Sequence, residues 1–265
     1  MSDTIVRAAG VITGWGRGLE ALPVDADAAA GGRRVVEATP APRMGDRLRR
    51  ATRECLLAVD AVDALLEDGG LARADITGEG TALVYVTAAA YGASNRAFVE
   101  GGGRALHFPY TAPSAVPAEV AIEFGLHGPY AVLIGGAATT IDALEHARTL
   151  LARGACARAL VLAVETFVEC ADLHARARWL HDRPLVEAAA AVLLEPMAER
   201  AGRGRGESVA CPPASTSPGQ TLACGPLIAL ARARAGGREE LVVTGRWRGR
   251  ETALTLGVTA APRTS

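Results

Sequence analysis

Apolar positions change their period several times along the chain, and each change predicts an element. Leu48, Cys55, Val59, Val62 and Leu66 recur at helical spacing, which predicts an amphipathic helix running from Asp46 to the Gly69-Gly70 stop. Residues 81–86 are a continuous apolar run that suits a buried strand, and 116–124 read as a helix. After the Gly128-Pro129 break, Tyr130, Ala131, Val132, Leu133 and Ile134 form a five-residue apolar run, expected to be a strand buried on both faces. Residues 135–140 are all small and predict a tight bend. Ile141, Leu144, Ala147, Leu150 and Leu151 then return to helical spacing, with Thr139 or Thr140 offered as N-cap and Gly154 as the C′ residue. Residues 159–164 form another apolar strand that ends at Glu165, and the order strand, helix, strand implies a right-handed parallel crossover. Further along, 185–196 read as a strand and turn, 222–234 as a helix, and 241–244 with 252–256 as a hairpin around Arg248-Gly249.

Between these elements the pattern fades. Residues 5–20 give a short strand and a turn rich in glycine (Gly14, Gly16, Gly18); no helical pattern follows and Pro23 intervenes, so the G-x-G spacing is not read as a dinucleotide loop. Residues 25–42 look like an exposed loop and 91–113 a long irregular section. Residues 199–217 are rich in Gly, Arg, Pro and Ser and read as a linker, and 258–265 as a frayed tail.

Composition narrows the classes. A chain of 265 residues can bury a full core and is expected to be one domain. Aromatics are only 4%, so Ala, Val and Leu carry most of the packing, and four of the eight Phe and Tyr residues fall within 91–113. Core filling is the default reading of that cluster, but the reading followed is that Tyr91, Phe98, His107 and Phe108 line an apolar acyl channel. With 28 basic and 29 acidic residues, every basic one an arginine, the charge balance argues against nucleic-acid binding. Arg47, Arg49, Arg50 and Arg53 crowd the start of the first long helix and read as a solvated face rather than a carrier-protein docking site. Five cysteines with no C-x-x-C pair are expected to be reduced thiols of a cytoplasmic protein without metal. No export signal is read in the first residues, and no apolar run approaches the roughly 18 residues a membrane span needs.

The block Gly125-Leu126-His127-Gly128-Pro129, the short apolar strand, the small-residue elbow and the following helix resemble the nucleophile region of β-ketoacyl synthases, members of the thiolase-like superfamily. Residues 44–86, 153–165 and 182–195 resemble further family segments in the right order, with Glu187 matching a family Glu and Ala188 replacing the glycine after it. The fold this implies is α/β, the layered α-β-α-β-α thiolase-like arrangement with a truncated second half: a synthase half over 1–196, the linker over 197–218 and a remnant of the second half over 219–257.

The resemblance also locates what is missing. Ala137 stands where the family has its reactive cysteine, Gln220 at the place of a late histidine and Ser215 near that of a lysine. Independently of any alignment, the chain contains no lysine, and its five histidines all precede residue 182. Condensation needs a thiolate to accept the acyl group and histidines to drive decarboxylation, so the set for that chemistry is absent. Cys170 and Cys224 are conceivable replacement nucleophiles, but cysteine is commonly a small buried hydrophobe. Glu165 is expected either as a structural acid behind the site or as a strand-end carboxylate bonded to backbone.

The resemblance therefore implies a non-catalytic subunit of chain-length-factor type, pairing with an active ketosynthase in fatty acid, polyketide or polyene biosynthesis and meeting acyl carrier protein through that partner. The strand Tyr130 to Ile134 is where the family pairs across a two-fold axis, with an active synthase or with a second copy as its neighbour. No cofactor is implied. An atypical acyltransferase or decarboxylase with a non-Cys site, and a thiolase-fold binding or scaffold protein, are the alternatives.

Overall fold

The computed structural model describes residues 4–41, 48, 51–101, 105–167, 183–197 and 218–259. The elements are β1 (Thr4–Thr13), β2 (Gly16–Arg17), α1 (Ala26–Ala30), β3 (Val35–Val36), α2 (Arg53–Gly69), β4 (Thr81–Thr87), α3 (Gly92–Glu100), α4 (Ala115–Phe124), β5 (Tyr130–Ile134) and α5 (Ala137–Ala152). They continue as β6 (Arg158–Glu165), β7 (Leu185–Val186), β8 (Ala188–Pro196), α6 (Gly225–Ala235), β9 (Glu240–Trp247) and β10 (Arg250–Val258), with short 3-10 turns at Arg73–Asp75, Ala105–Thr111 and Leu222–Cys224.

One mixed sheet runs in the order β5-β4-β6-β8-β1-β10-β9, with β2 added to β1. Strands β5 and β6 lie on either side of β4 and parallel to it, so the segment β5-α5-β6 crosses over β4 as the strand, helix, strand order predicts. Strand β8 runs antiparallel to β6 and β1, and β10 parallel to β1. Helices cover both faces: α2 and α4 pack with one set of strand residues, α5 and α6 with the alternate set. That double cover explains why β4 and β6 are near-continuous apolar runs instead of alternating ones. Ala188 to Ala191 of β8 sit between α2 on one face and α6 on the other, where small side chains let both helices approach. Each fully buried Leu or Val in these layers contributes about 1.5–3 kcal/mol relative to exposure.

Several segments depart from the sequence expectations. Residues 25–42 are more than an exposed loop: Asp25 caps α1 through bonds from the Asp27 and Ala28 N–H groups (2.9 and 3.0 Å), and β3 pairs in parallel with β7. Ala26, Ala30, Val36 and Ala38 are buried there, small apolar residues that composition alone reads as loop. Residues 91–113 contain α3 and a 3-10 turn, although Gly92 and Pro109 weaken both patterns. Helix α2 begins at Arg53 because Thr52 is extended (φ −72°, ψ 164°); the expected start at Asp46 lies outside the described residues. The N-cap of α5 is Gly136, and both threonines lie within the helix, while Gly154 takes the C′ place with positive φ as expected.

Strand β5 is not buried on both faces. Among the described residues it is the edge of the sheet, and Tyr130 and Ile134 are 47% and 50% exposed. The tail is held at its start: buried Arg234 donates to the Thr259 carbonyl and hydroxyl (2.6 and 2.7 Å) and to Asp68 (2.7 Å), which also accepts from the Ala9 N–H (2.9 Å). The remainder of the tail, residues 198–217 of the linker, and Arg47, Arg49 and Arg50 lie outside the described residues.

Candidate functional site at the elbow

Because β4, β5 and β6 are parallel and in register, their carboxyl ends meet at one place. The elbow Gly135-Gly136 follows β5 there and turns into α5, so Ala137 is the first helical residue. This aims the unpaired N–H groups of a helix N-terminus at position 137, the arrangement that lowers a thiol pKa and holds an acyl oxyanion. Ala137 carries a methyl group, half-buried, with nothing to ionise.

Behind the elbow Glu165, fully buried, ends β6 and accepts three backbone N–H bonds: Ala88 to Oε1 (2.8 Å), Ala89 to Oε2 (2.9 Å) and Ala223 to Oε1 (3.2 Å). Burial pushes this carboxyl up to about 8, against the pull of those donors. Ala223 is gripped from its other side as well, since the Thr140 hydroxyl of α5 donates to its carbonyl (2.7 Å). The loop after β4, the end of β6, the elbow helix and the turn before α6 are thus tied through one carboxyl and one hydroxyl. Glu165 is thus a strand-end carboxyl bonded to backbone.

Glu187 makes a second knot. Also fully buried, it receives Arg53 in a two-pronged ion pair (2.5 and 2.9 Å) together with the Ala38 and Phe167 N–H groups (2.9 and 2.6 Å). Arg53 therefore does not belong to a solvated face; its guanidinium is turned inward by a buried opposite charge. Its neighbourhood in the sequence, four arginines in seven residues, hid that role.

The structure brings together only part of the predicted set. Gln220 is held by backbone pairing beside β7, its N–H on Pro184 and its carbonyl accepting from Val186 (both 2.9 Å). Ser215, Cys170 and the His107 side chain lie outside the described residues. Cys224 is fully buried and its thiol points at the Ala188 carbonyl (3.4 Å); burial raises its pKa well above the ordinary value, which opposes thiolate formation. Phe98 and Phe108 contact each other with ring centroids 5.8 Å apart, Phe108 being 63% exposed, and Tyr91 is half-buried at the start of α3. Among the described residues no group of three or more His, Cys, Asp or Glu is placed to hold a metal, and no helix is long and apolar enough to cross a membrane. A surface groove of about 460 Å³ lined by Arg17, Asp60, Asp63, Leu66 and Glu67 lies along α2, on the opposite face of the sheet from α5.

Two residues at the elbow escape a sequence reading altogether, Gly245 and Trp247 of β9. A Cβ at Gly245 would stand 2.2 Å from the Ala137 carbonyl oxygen, and one at Gly136 would stand 2.3 Å from the Trp247 ring. The hairpin is seated directly on the elbow, a long-range contact that local pattern does not encode.

A strand-elbow-helix with parallel strands on both sides of β4 defines a thiolase-like α/β fold with a truncated second half; among the described residues one sheet and its two helix layers are present. The model of the β-ketoacyl synthase N-terminal domain matches residues 38–211, well over half of the chain, and the chain belongs to that family. No curated protein matches it by sequence. Among solved structures it is similar to a chain of the ishigamide ketosynthase/chain length factor, with a TM-score of 0.69 and 21% identity over 96% of this chain and 98% of that one, so the two are nearly equal in length. It also resembles the Streptomyces albus JA3453 oxazolomycin ketosynthase domain OzmH KS8 (TM-score 0.51, 18% identity, 74% of this chain and 48% of that chain). A third likeness is to AntDE:AntF, a type II PKS acyl-carrier protein in complex with its ketosynthase (TM-score 0.59, 16% identity, 74% of this chain and 63% of that chain). At these identities the likeness is one of fold.

Proposed function

We propose that the chain is a non-catalytic subunit of chain-length-factor type that pairs with an active ketosynthase in polyketide, polyene or fatty acid synthesis. The observation that carries this reading is the elbow: the strand, bend and helix N-terminus are kept, and Ala137 occupies the position at which that geometry would activate a nucleophile. The near-equal length of this chain and its counterpart in the ishigamide ketosynthase/chain length factor supports it, because a short thiolase-like chain of this size recurs in a structure that joins those two functions.

The partner belongs on β5. Tyr130, Ala131, Val132, Leu133 and Ile134 form an apolar edge, and a neighbouring subunit adding its own strand there would continue the sheet through both. Acyl carrier protein would then meet the active subunit, and Tyr91, Phe98, His107 and Phe108 would face the acyl tunnel and set where the chain stops. A cytoplasmic location accords with this role. The test is to tag the chain, co-express it with an active synthase carrying the Cys and His set, and purify on the tag. The expected result is a one-to-one complex that makes product, with the tagged chain alone inert; a chain that never retains a synthase removes the reading.

A further inference from the structure

The amino-terminal turn of α5 is covered by a part of the chain that lies outside the 38–211 family match, the β9–β10 hairpin. The fit is close at two glycines. Gly245 lets the β9 backbone approach the Ala137 carbonyl, and Gly136 lets the Trp247 ring lie against the elbow, with Cε3, Cδ2 and Cζ3 at 2.3, 2.5 and 2.9 Å from where a Cβ would be. Real Cβ atoms do not come that near to ring carbons, so Gly136 and Trp247 fit as a pair. The hairpin is also fastened to α5: Arg250 donates twice to Asp142 (2.6 and 2.8 Å), and the Thr252 hydroxyl reaches the Ala138 carbonyl (3.3 Å). Arg248 lies over the Trp247 ring, its guanidinium carbon 5.6 Å from the ring centroid.

We infer that Trp247 is a stopper on the elbow, a residue that denies position 137 to an acyl chain. The missing thiol and the covered elbow are then two separate features, and restoring one does not restore the other. Ala137 is half-buried and not sealed, so on this inference a small reagent reaches position 137 where a fatty chain, obstructed by the indole against Gly136, does not. The inference rests on the non-catalytic reading of Ala137, but its test needs no partner synthase. Failure to capture a synthase would leave the stopper standing, and failure of the stopper would leave the pairing standing.

The test compares Ala137→Cys with Ala137→Cys/Trp247→Ala, both as full chains whose folding is checked by circular dichroism, with Trp247→Val as a second trimmed form should the first not fold. Each is treated with methyl methanethiosulfonate, a small thiol reagent, and separately with octanoyl-N-acetylcysteamine. In the second reaction the introduced thiolate attacks the thioester carbonyl, the new acyl–sulfur bond forms, and N-acetylcysteamine leaves and takes up the proton that the cysteine lost. Modification is read by mass spectrometry on the peptide containing position 137, which separates it from the native cysteines. The expected result is methylthio modification of both variants, and octanoylation at least tenfold faster in the trimmed variant. Octanoylation of the single variant at a rate within threefold of the trimmed one overturns the inference. So does a trimmed variant that takes the small reagent and still resists octanoylation, or one that resists both.

Discussion

Among the described residues the main sheet has two edges, and they are built differently. Strand β9, at one end, carries Glu240 and Arg246 along its length and turns at Arg248 and Gly249, with exposed Thr244 and Arg246 facing outward. Strand β5, at the other, reads Tyr-Ala-Val-Leu-Ile without a charge, a proline or a register break against β4. Charges, prolines and bulges are the devices that stop sheet edges from pairing with other chains, so β9 is defended and β5 is not. The interior strands between them are different again. Strand β6, an apolar run much like β5, is buried from Ala159 onward and finishes in a fully bonded carboxyl. Two similar apolar runs on either side of β4 thus differ only in what lies next to them. An undefended apolar edge is what the proposed pairing through β5 requires.

The contrast is tested most severely in the interior. Arg53→Ala would remove the two-pronged ion pair from buried Glu187, and removal of one partner of a buried pair costs roughly 3–5 kcal/mol. Urea unfolding should show that loss, and a loss under 1 kcal/mol would mean that the pair is solvated. The edges come next. Ile134→Asp places a charge on the half-exposed end of β5, where it should change unfolding stability little but weaken subunit association on the order of 3 kcal/mol, about a hundredfold in Kd. Thr244→Asp on β9 is the matched control and should change neither. Analytical ultracentrifugation reads both; equal effects at the two edges would dissolve the distinction between them.

What could be read in advance follows the range of the interactions involved. Strands β4 and β6 and helices α2 and α5 were legible because period and burial are local in sequence: Cys55, Val59, Val62 and Leu66 all point into the core as their spacing predicts. The elbow was legible for the same reason, since a Gly-Pro break, five apolar residues and six small ones are contiguous. Short elements built of alanine and glycine were not. Helix α1 and the short strand β3 owe their order to Asp25 capping and to pairing with residues 150 positions away, which no window reveals. The exposure of β5 has no local signature, because periodicity reports that a run is apolar, not whether a neighbouring strand lies on both sides. Arg53, Trp247 and the double hold on Ala223 are tertiary facts with no local signature.

The two carboxyl knots differ in charge balance, and pH separates them. Glu165 has backbone donors and no cation, and its carboxyl is raised from the ordinary 4.5 to about 8. The folded state then holds a proton that the unfolded chain releases between those values, so the contribution is fully present below pH 4.5 and is lost as pH rises toward 8. One group can tilt stability by at most about 1.4 kcal/mol per pH unit in that window. Glu165→Gln removes the titration but retains a neutral group, so the variant should be less stable than the parent at pH 5 and should close part of the gap by pH 8.5. Parallel stability curves for the two proteins would show that Glu165 stays ionised in the fold throughout.

A small effect on folding is expected at the aromatic pair outside the elbow. If Phe98 and Phe108 were core residues, truncating either to Ala would cost about 3–5 kcal/mol. Phe108 is 63% exposed in the isolated chain, so Phe108→Ala should lose well under 1 kcal/mol, and half-buried Phe98 somewhat more. Their weight should instead appear in the complex, where closing the β5 edge would bring α3 and the 3-10 turn near the partner and give these rings something to face. Product length from the reconstituted pair is the readout: Phe108→Ala should lengthen the released chain while the melting temperature of the subunit stays within a few degrees of the parent. A large fall in melting temperature with product length unchanged, for both residues, would return the rings to the core and leave β5 as the only surface through which this subunit influences its partner.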